Sequence, residues 1–196
     1  MSNTLADYTI EKEMGRGGFA ITWAARRLAS APSTGRAQPV ILKELLLDRI
    51  DDWDVVSAFE REARVLSHLK HPGIPSFLDF IEEETTQGKR LFLVQEYIAG
   101  RDVERLIQDG RYFTEPEVIA MAIQMTEVLV YLHQFSPPIV HRDIKPSNVM
   151  ATDSGRYYLV DFGAVKSPQS RQADAGYTMT GTVGYMPLEQ IEGKAV

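Results

Sequence analysis

His141-Arg142-Asp143-Ile144-Lys145-Pro146-Ser147-Asn148 and Asp161-Phe162-Gly163 are the two strings on which the reading of this chain turns. The first packs an acid, a base, two cations and an amide into one short segment. Pro146 prevents a regular helix from running through it, so these groups are expected to converge on a loop. Thirteen residues after Asn148, Asp161 follows the apolar run Tyr157–Val160. An Asp at a strand end beside a glycine is well placed to bind a hard cation, and Asn148 offers a second oxygen ligand. Either string alone also reads as an ordinary turn. Both together, in this order, are hard to explain as turns.

Toward the N-terminus, Lys43 ends the apolar run Val40-Ile41-Leu42, a place where a lysine needs a partner. Residues 54–70 read as a helix, because Val55, Phe59, Leu66 and Leu69 recur at helical spacing. Glu62 falls in the middle of that stripe, and a carboxylate facing a core usually needs a cation. Lys43 and Glu62 are therefore a candidate pair, which spacing alone leaves open as structural or functional. Gly15-Arg16-Gly17-Gly18-Phe19-Ala20 is a glycine-rich turn directly after an expected strand. Glycines let backbone amides approach phosphates where no side chain would fit, although such turns also simply join strands. From Met14 to Lys43 there is no Asp or Glu, so the acidic residue that a dinucleotide fold uses for the ribose is absent. The same stretch carries Arg16, Arg26, Arg27, Arg36 and Lys43, which suits a polyanion such as a nucleotide triphosphate as well as a solvated basic edge.

Residues 8–14 and 37–45 read as strands with turn chemistry at Pro32–Gly35, and residues 76–82 and 90–96 as strands joined by a turn at Thr85–Lys89. The stretch 20–28 fits helix or strand, since Ala24, Ala25, Arg26, Arg27 and Leu28 have helical propensity but lie between a glycine turn and a loop. Residues 115–134 form the best helix, with Thr114 and Glu117 as a capping box and Val118, Ala122, Met125, Leu129 and Leu132 as one apolar stripe. Strands first and helices after argue for an α+β protein in two lobes. A net charge of −6 and the lack of any Lys/Arg-rich run speak against a nucleic-acid binder. Zero cysteines exclude a disulfide scaffold and thiolate-held metal sites, and fit a reducing cytosol. No segment has the make-up of a signal peptide or of a membrane span, so the expected location is cytoplasmic.

In this order the elements resemble a eukaryotic-type protein kinase of the bacterial serine/threonine class, from Met14 to Glu189. The resemblance implies a two-lobed fold. Residues 1–97 would form an N-lobe with an antiparallel sheet and one helix, and residues 98–196 a mainly helical, incomplete C-lobe. It implies ATP and Mg2+ as cofactors and a protein Ser/Thr hydroxyl as acceptor. Met14, Gly15, Gly17, Gly18, Ala20, Thr22, Ile41 and Met150 would line the nucleotide site. Lys43, paired to Glu62, would hold the α- and β-phosphates. Glu96 and Ile98 match the stretch whose backbone meets adenine, and Asp102 would reach the ribose. Asn148 and Asp161 would hold magnesium, Asp143 would take the acceptor's proton, and Lys145 would steady the γ-phosphate. Lys145 and Thr182 favour serine or threonine as acceptor. Phe162, His141, Leu66 and Phe77 match the stacked apolar residues of the active family. Arg142 resembles the arginine that pairs with a phosphorylated activation segment, for which Thr178 and Thr180 are the candidate acceptors.

Departures from the family pattern are specific. Ala20 stands for the third glycine, Thr22 for a valine, Ile41 for a small alanine at the adenine site, and Leu188 for the proline of the usual Ala-Pro-Glu ending. The sequence ends at Val196, where the family continues through several large helices. The expectation is a fragment of a longer kinase or a truncated product, with a missing C-terminal segment or a dimer partner to cover helix 115–134. The alternative is an inactive kinase-like module that binds nucleotide or a partner. Lys43, Asp143, Asn148 and Asp161 favour the enzyme; Ile41, Leu188 and the missing helices favour the module.

Overall fold

The computed structural model describes residues 4–5, 7–28, 38–47, 53–86, 88–164, 181–182 and 184–192. The turn expected at 32–35 and the candidate acceptors Thr178 and Thr180 lie outside them. The chain divides into two units, one of Met1–Leu69 with Ser76–Tyr97, the other of Lys70–Pro75 with Ile98–Val196.

In the first unit, strands β1 (Thr4–Leu5), β2 (Tyr8–Arg16), β3 (Ala20–Arg27), β4 (Gln38–Leu45), β5 (Phe77–Thr85) and β6 (Gly88–Glu96) form one antiparallel sheet in the order β1-β2-β3-β4-β6-β5. The stretch that fitted helix or strand is β3. It pairs with β2 on one side and β4 on the other, and that two-sided pairing overrides the propensity of its alanines and arginines. The β5–β6 hairpin runs further than expected, with Thr85 facing Gly88 at its tip.

Side chains alternate across β4. Val40 and Leu42 enter a core cluster with Leu5, Tyr8, Ala25, Phe92 and Val94. Each such fully buried aliphatic or aromatic side chain contributes about 1.5–3 kcal/mol. Lys43 points to the other face, where helix α1 (Trp53–His68) packs. The buried line of α1 is Val56, Phe59, Ala63 and Leu66, with Glu62 inside it. Val55 is only half-buried, and Leu69 is buried just beyond the helix end rather than within it.

In the second unit, β7 (Gly100–Asp102), β8 (Val149–Thr152) and β9 (Tyr157–Leu159) form a small antiparallel sheet in that order. Helix α2 (Val103–Gln108) follows β7 directly. Neither β7 nor α2 was expected from the sequence, being too short to show a period. Helix α3 (Glu115–His133) opens with the expected capping box, Glu117 accepting from Thr114 N–H at 2.8 Å and from its hydroxyl at 2.9 Å. Its expected stripe holds in its C-terminal part only, where Leu132 is buried and Met125 and Leu129 are half-buried. Val118 and Ala122 are exposed, as are Ile119, Ile123 and Val130, and the buried residues are Val128 and Leu132. Among the described residues the C-terminal half of α3 is the covered part, Val128 lying where a side chain on Gly73 would clash at 2.8 Å. A short helix α4 (Leu188–Ile191) follows. Among the described residues, no helix is long and apolar enough to cross a membrane.

Candidate active site

The first unit supplies a buried ion pair and an open glycine turn. Lys43 Nζ donates to both carboxylate oxygens of Glu62, at 2.9 and 2.8 Å. The carboxylate is the deeper partner, 2% exposed against 19% for the lysine side chain. Among the turn glycines, a Cβ at Gly15 or Gly18 would meet nothing within 4 Å, and one at Gly17 only Ala20 O at 3.6 Å. None of the three has a positive φ. Packing inside the unit therefore gives no reason for glycine there; a ligand approaching the bare backbone gives one. Ala20 and Thr22 lie on β3, Thr22 directly opposite Lys43, and Ile41 lies on β4 two residues before it. Met14 is 52% exposed on β2. Glu96 ends β6, and its carboxylate accepts from Ser76 N–H at 3.1 Å and from the Ser76 hydroxyl at 2.8 Å. Its backbone N–H is committed as well, donating to the Ser76 carbonyl at 2.9 Å.

In the second unit, Ile98 is buried. Asp102, expected at the ribose, caps α2, its Oδ1 accepting from Arg105 N–H at 2.7 Å. Met150 lies half-buried on β8, opposite both Asp102 and Tyr158.

The loop before β8 gathers the rest. Asp143 is held from three sides. Its Oδ1 accepts from the Thr182 hydroxyl at 2.8 Å, and its Oδ2 accepts from Lys145 Nζ at 2.8 Å and from Asn148 Nδ2 at 3.0 Å. Donors on both oxygens, one of them a cation, fix the carboxylate's rotamer. Lys145 Nζ also donates to the Thr182 hydroxyl at 2.6 Å. Thr182 thus joins the cluster directly. In the sequence Thr182 marks only the acceptor type, and nothing but its place after Gly181 points to it. Asn148 Nδ2 donates also to the Asp143 carbonyl at 2.7 Å, which commits the amide nitrogen and leaves the side-chain carbonyl oxygen as the end suited to a cation. Asp161 is exposed just beyond β9, its Oδ1 accepting from Gly163 N–H at 3.4 Å.

Arg142 and Asp161 both adopt left-handed backbone, with φ of 68° and 61°. For residues with a Cβ this is a strained state that surrounding structure must enforce. One such contact is visible at Arg142, whose carbonyl accepts from Gln190 Nε2 at 3.0 Å. Beneath the loop, His141 is 1% exposed and packs edge-on against Phe162 with ring centroids 4.8 Å apart. Its Nδ1 accepts from Asp143 N–H at 3.4 Å. Burial pushes the imidazole below its ordinary pKa of 6.5, against a smaller upward pull from Asp161, the Val160 backbone and Asp143. Leu66 is buried and Phe77 half-buried in the first unit.

The protein kinase domain family matches residues 8–196. Serine/threonine-protein kinase B of Synechocystis sp. is 34% identical over 197 residues, covering 93% of this chain and 32% of its own length. Serine/threonine-protein kinase Aurora-1 of Arabidopsis thaliana is 31% identical over 189 residues, covering 96% of this chain and 59% of its own. A probable serine/threonine-protein kinase of Streptomyces coelicolor is 32% identical over 195 residues, covering 96% of this chain and 27% of its own. The chain thus spans between 27% and 59% of the length of these three relatives. A match over nearly its whole length, together with the Asp143 cluster and the Lys43–Glu62 pair, makes this chain a member of the protein kinase family.

Proposed function

We propose that the chain is part of a serine/threonine protein kinase that moves the γ-phosphate of ATP to a protein hydroxyl. Asp143 is the observation that carries this reading, a carboxylate held by Lys145, Asn148 and Thr182 with an aliphatic hydroxyl already hydrogen-bonded to one oxygen. In the proposed step the acceptor oxygen attacks the γ-phosphorus, the bond to the β-bridging oxygen breaks to leave ADP, and the acceptor proton passes to Asp143. Lys145 would stabilise charge gathering on the transferred group. Lys43, oriented by Glu62, would hold the α- and β-phosphates, and the amides of Gly15, Gly17 and Gly18 would lie close to them. Met14, Ala20, Thr22, Ile41 and Met150 would line the base and sugar, with the Glu96 and Ile98 backbone on the adenine edge. Magnesium would supply charge neutralisation on the phosphates, held by Asp161 and the carbonyl oxygen of Asn148; few protein ligands plus phosphates is this ion's usual coordination. In this proposal the lobes are residues 1–97 and 98–196, and Arg142 would pair with a phosphate on Thr178 or Thr180.

The test is transfer of labelled phosphate from ATP and Mg2+ to a Ser/Thr-containing protein, with Asp143→Asn beside the wild type. Removing a general base should lower the rate by about 10²–10⁴-fold while nucleotide binding persists. Equal rates in both would remove Asp143 from the role. Nucleotide binding without transfer in either would favour the binding-module alternative.

A further inference from the structure

Asn148 and Asp161 sit at one end of the β8–β9 hairpin, and what fixes that hairpin decides how well they can act together. The open end is closed by Val160 N–H donating to Asn148 O at 2.9 Å, with Asp161 the next residue. β9 is an edge strand, since β8 pairs with it on one side only. Its outward amides therefore need partners from outside the sheet. Leu159 N–H finds the Gly73 carbonyl at 2.8 Å. Tyr157 N–H finds a side chain, donating to Gln124 Oε1 on α3 at 3.0 Å. The other end of the same amide, Gln124 Nε2, donates to the Gly155 carbonyl in the β8–β9 turn at 3.2 Å. One glutamine thus grips the closed end of the hairpin through both its acceptor and its donor.

Gln124 touches neither candidate cation ligand, but the strand is a short lever. Tyr157 and Asp161 are four residues apart, about 13 Å of extended chain. A tilt of the hairpin about its closed end moves Asn148 and Asp161 most, because they lie farthest from the grip. We propose that Gln124 is a positioning residue for the Asn148–Asp161 cation site, setting the tilt of the β8–β9 hairpin on α3. This inference rests on the magnesium role assigned above to those two residues.

The test uses Mn2+ as the probe, read by its paramagnetic resonance signal, with a non-hydrolysable ATP analogue in excess and the full chain as protein. Residues bonded directly to metal ligands commonly matter by about 10–100-fold; Gln124 acts one step further out, and Gln124→Leu should raise the half-saturating Mn2+ concentration severalfold, short of that range. Gln124→Glu keeps an acceptor for Tyr157 N–H but loses the donor to Gly155, so it should fall between wild type and Leu. Amide exchange at Tyr157 and Val160 should quicken in the same order. A lowered melting temperature with unchanged Mn2+ half-saturation would make Gln124 merely structural and overturn the inference. Should the Leu variant fail to fold, the Glu variant decides on the same two readouts. Folded wild type that binds no Mn2+–nucleotide would refute the magnesium role itself, and this inference with it; wild-type binding matched by both variants refutes the inference alone.

Discussion

Replacing Lys43 by Met tests how the first unit tolerates Glu62. The carboxylate is 2% exposed and takes two hydrogen bonds from Lys43 Nζ, so the variant removes a cation from a carboxylate buried in an apolar helix stripe. Removing one partner of a buried pair costs about 3–5 kcal/mol. Lys43 is 19% exposed, so part of the attraction is already screened, and the lower end, about 3 kcal/mol, is the expected loss. At a urea slope of about 2 kcal/mol per M, that moves the unfolding midpoint down by about 1.5 M. Glu62→Gln should be milder, because the lysine left behind can extend its ammonium into water and the carboxylate cannot. The double variant, Met with Gln, should lie above Lys43→Met alone. Tryptophan fluorescence is the natural assay, as both tryptophans, Trp23 and Trp53, belong to the first unit. A loss below about 1 kcal/mol for Lys43→Met, or a larger loss for Glu62→Gln, would refute the reasoning.

Gly100→Ala should destabilise the second unit by about 1–3 kcal/mol in calorimetry, because the new Cβ would lie 2.4 Å from the Ala151 carbonyl oxygen in the adjoining strand. Gly18→Ala, with open space around it, should stay within about 0.5 kcal/mol of wild type, and a large loss there would mean the turn packs differently. Thr114→Ala removes the hydroxyl half of the α3 capping box and should cost about 1 kcal/mol in urea unfolding, while Thr114→Ser should recover most of it. His141 is kept neutral by burial, so the unfolded chain binds its proton more readily. Its contribution is complete above a pH of 6.5 and is lost as pH falls from there through the lowered folded value. The melting temperature of wild type should therefore fall relative to His141→Phe as pH is lowered, and a difference that does not change with pH would sink this account.

The parts legible in the sequence were those that short-range rules determine. The Lys43–Glu62 contact followed from two local facts, a lysine closing an apolar run and a glutamate inside a helical stripe. The α3 cap followed from Thr114 and Glu117 three residues apart. Residues 20–28 resisted because local propensity and position disagree there, and pairing with strands on both sides decides the outcome. The α3 stripe is met only at its C-terminal end, for a related reason. Apolar residues lie all round that helix, so periodicity gave no unique face and the contacts at Val128 and Leu132 selected one. Thr182 reaches Asp143 across 39 positions of sequence, and Gln124 reaches Tyr157 across 33. No spacing rule bears on contacts that distant.

Register on β4 links the sheet to the chemistry. Lys43 faces α1, and the next residue, Glu44, faces the opposite side, where it is 7% exposed. There Glu44 accepts from the Trp23 indole at 2.8 Å and from Arg90 at 2.9 and 2.7 Å, and Arg90 continues to Glu83 at 3.0 Å. The chain Trp23–Glu44–Arg90–Glu83 crosses β3, β4, β6 and β5 in their spatial order. A slip of one residue on β4 would exchange its two faces. Glu44 would then point at buried Glu62, and Lys43 into the cluster of Tyr8, Phe92 and Val94. Two carboxylates on one buried face and an unpaired ammonium in the core are both strongly unfavourable. The charges on β4 therefore select the same register twice, once on each face, and that register is the one that holds Lys43 against Glu62.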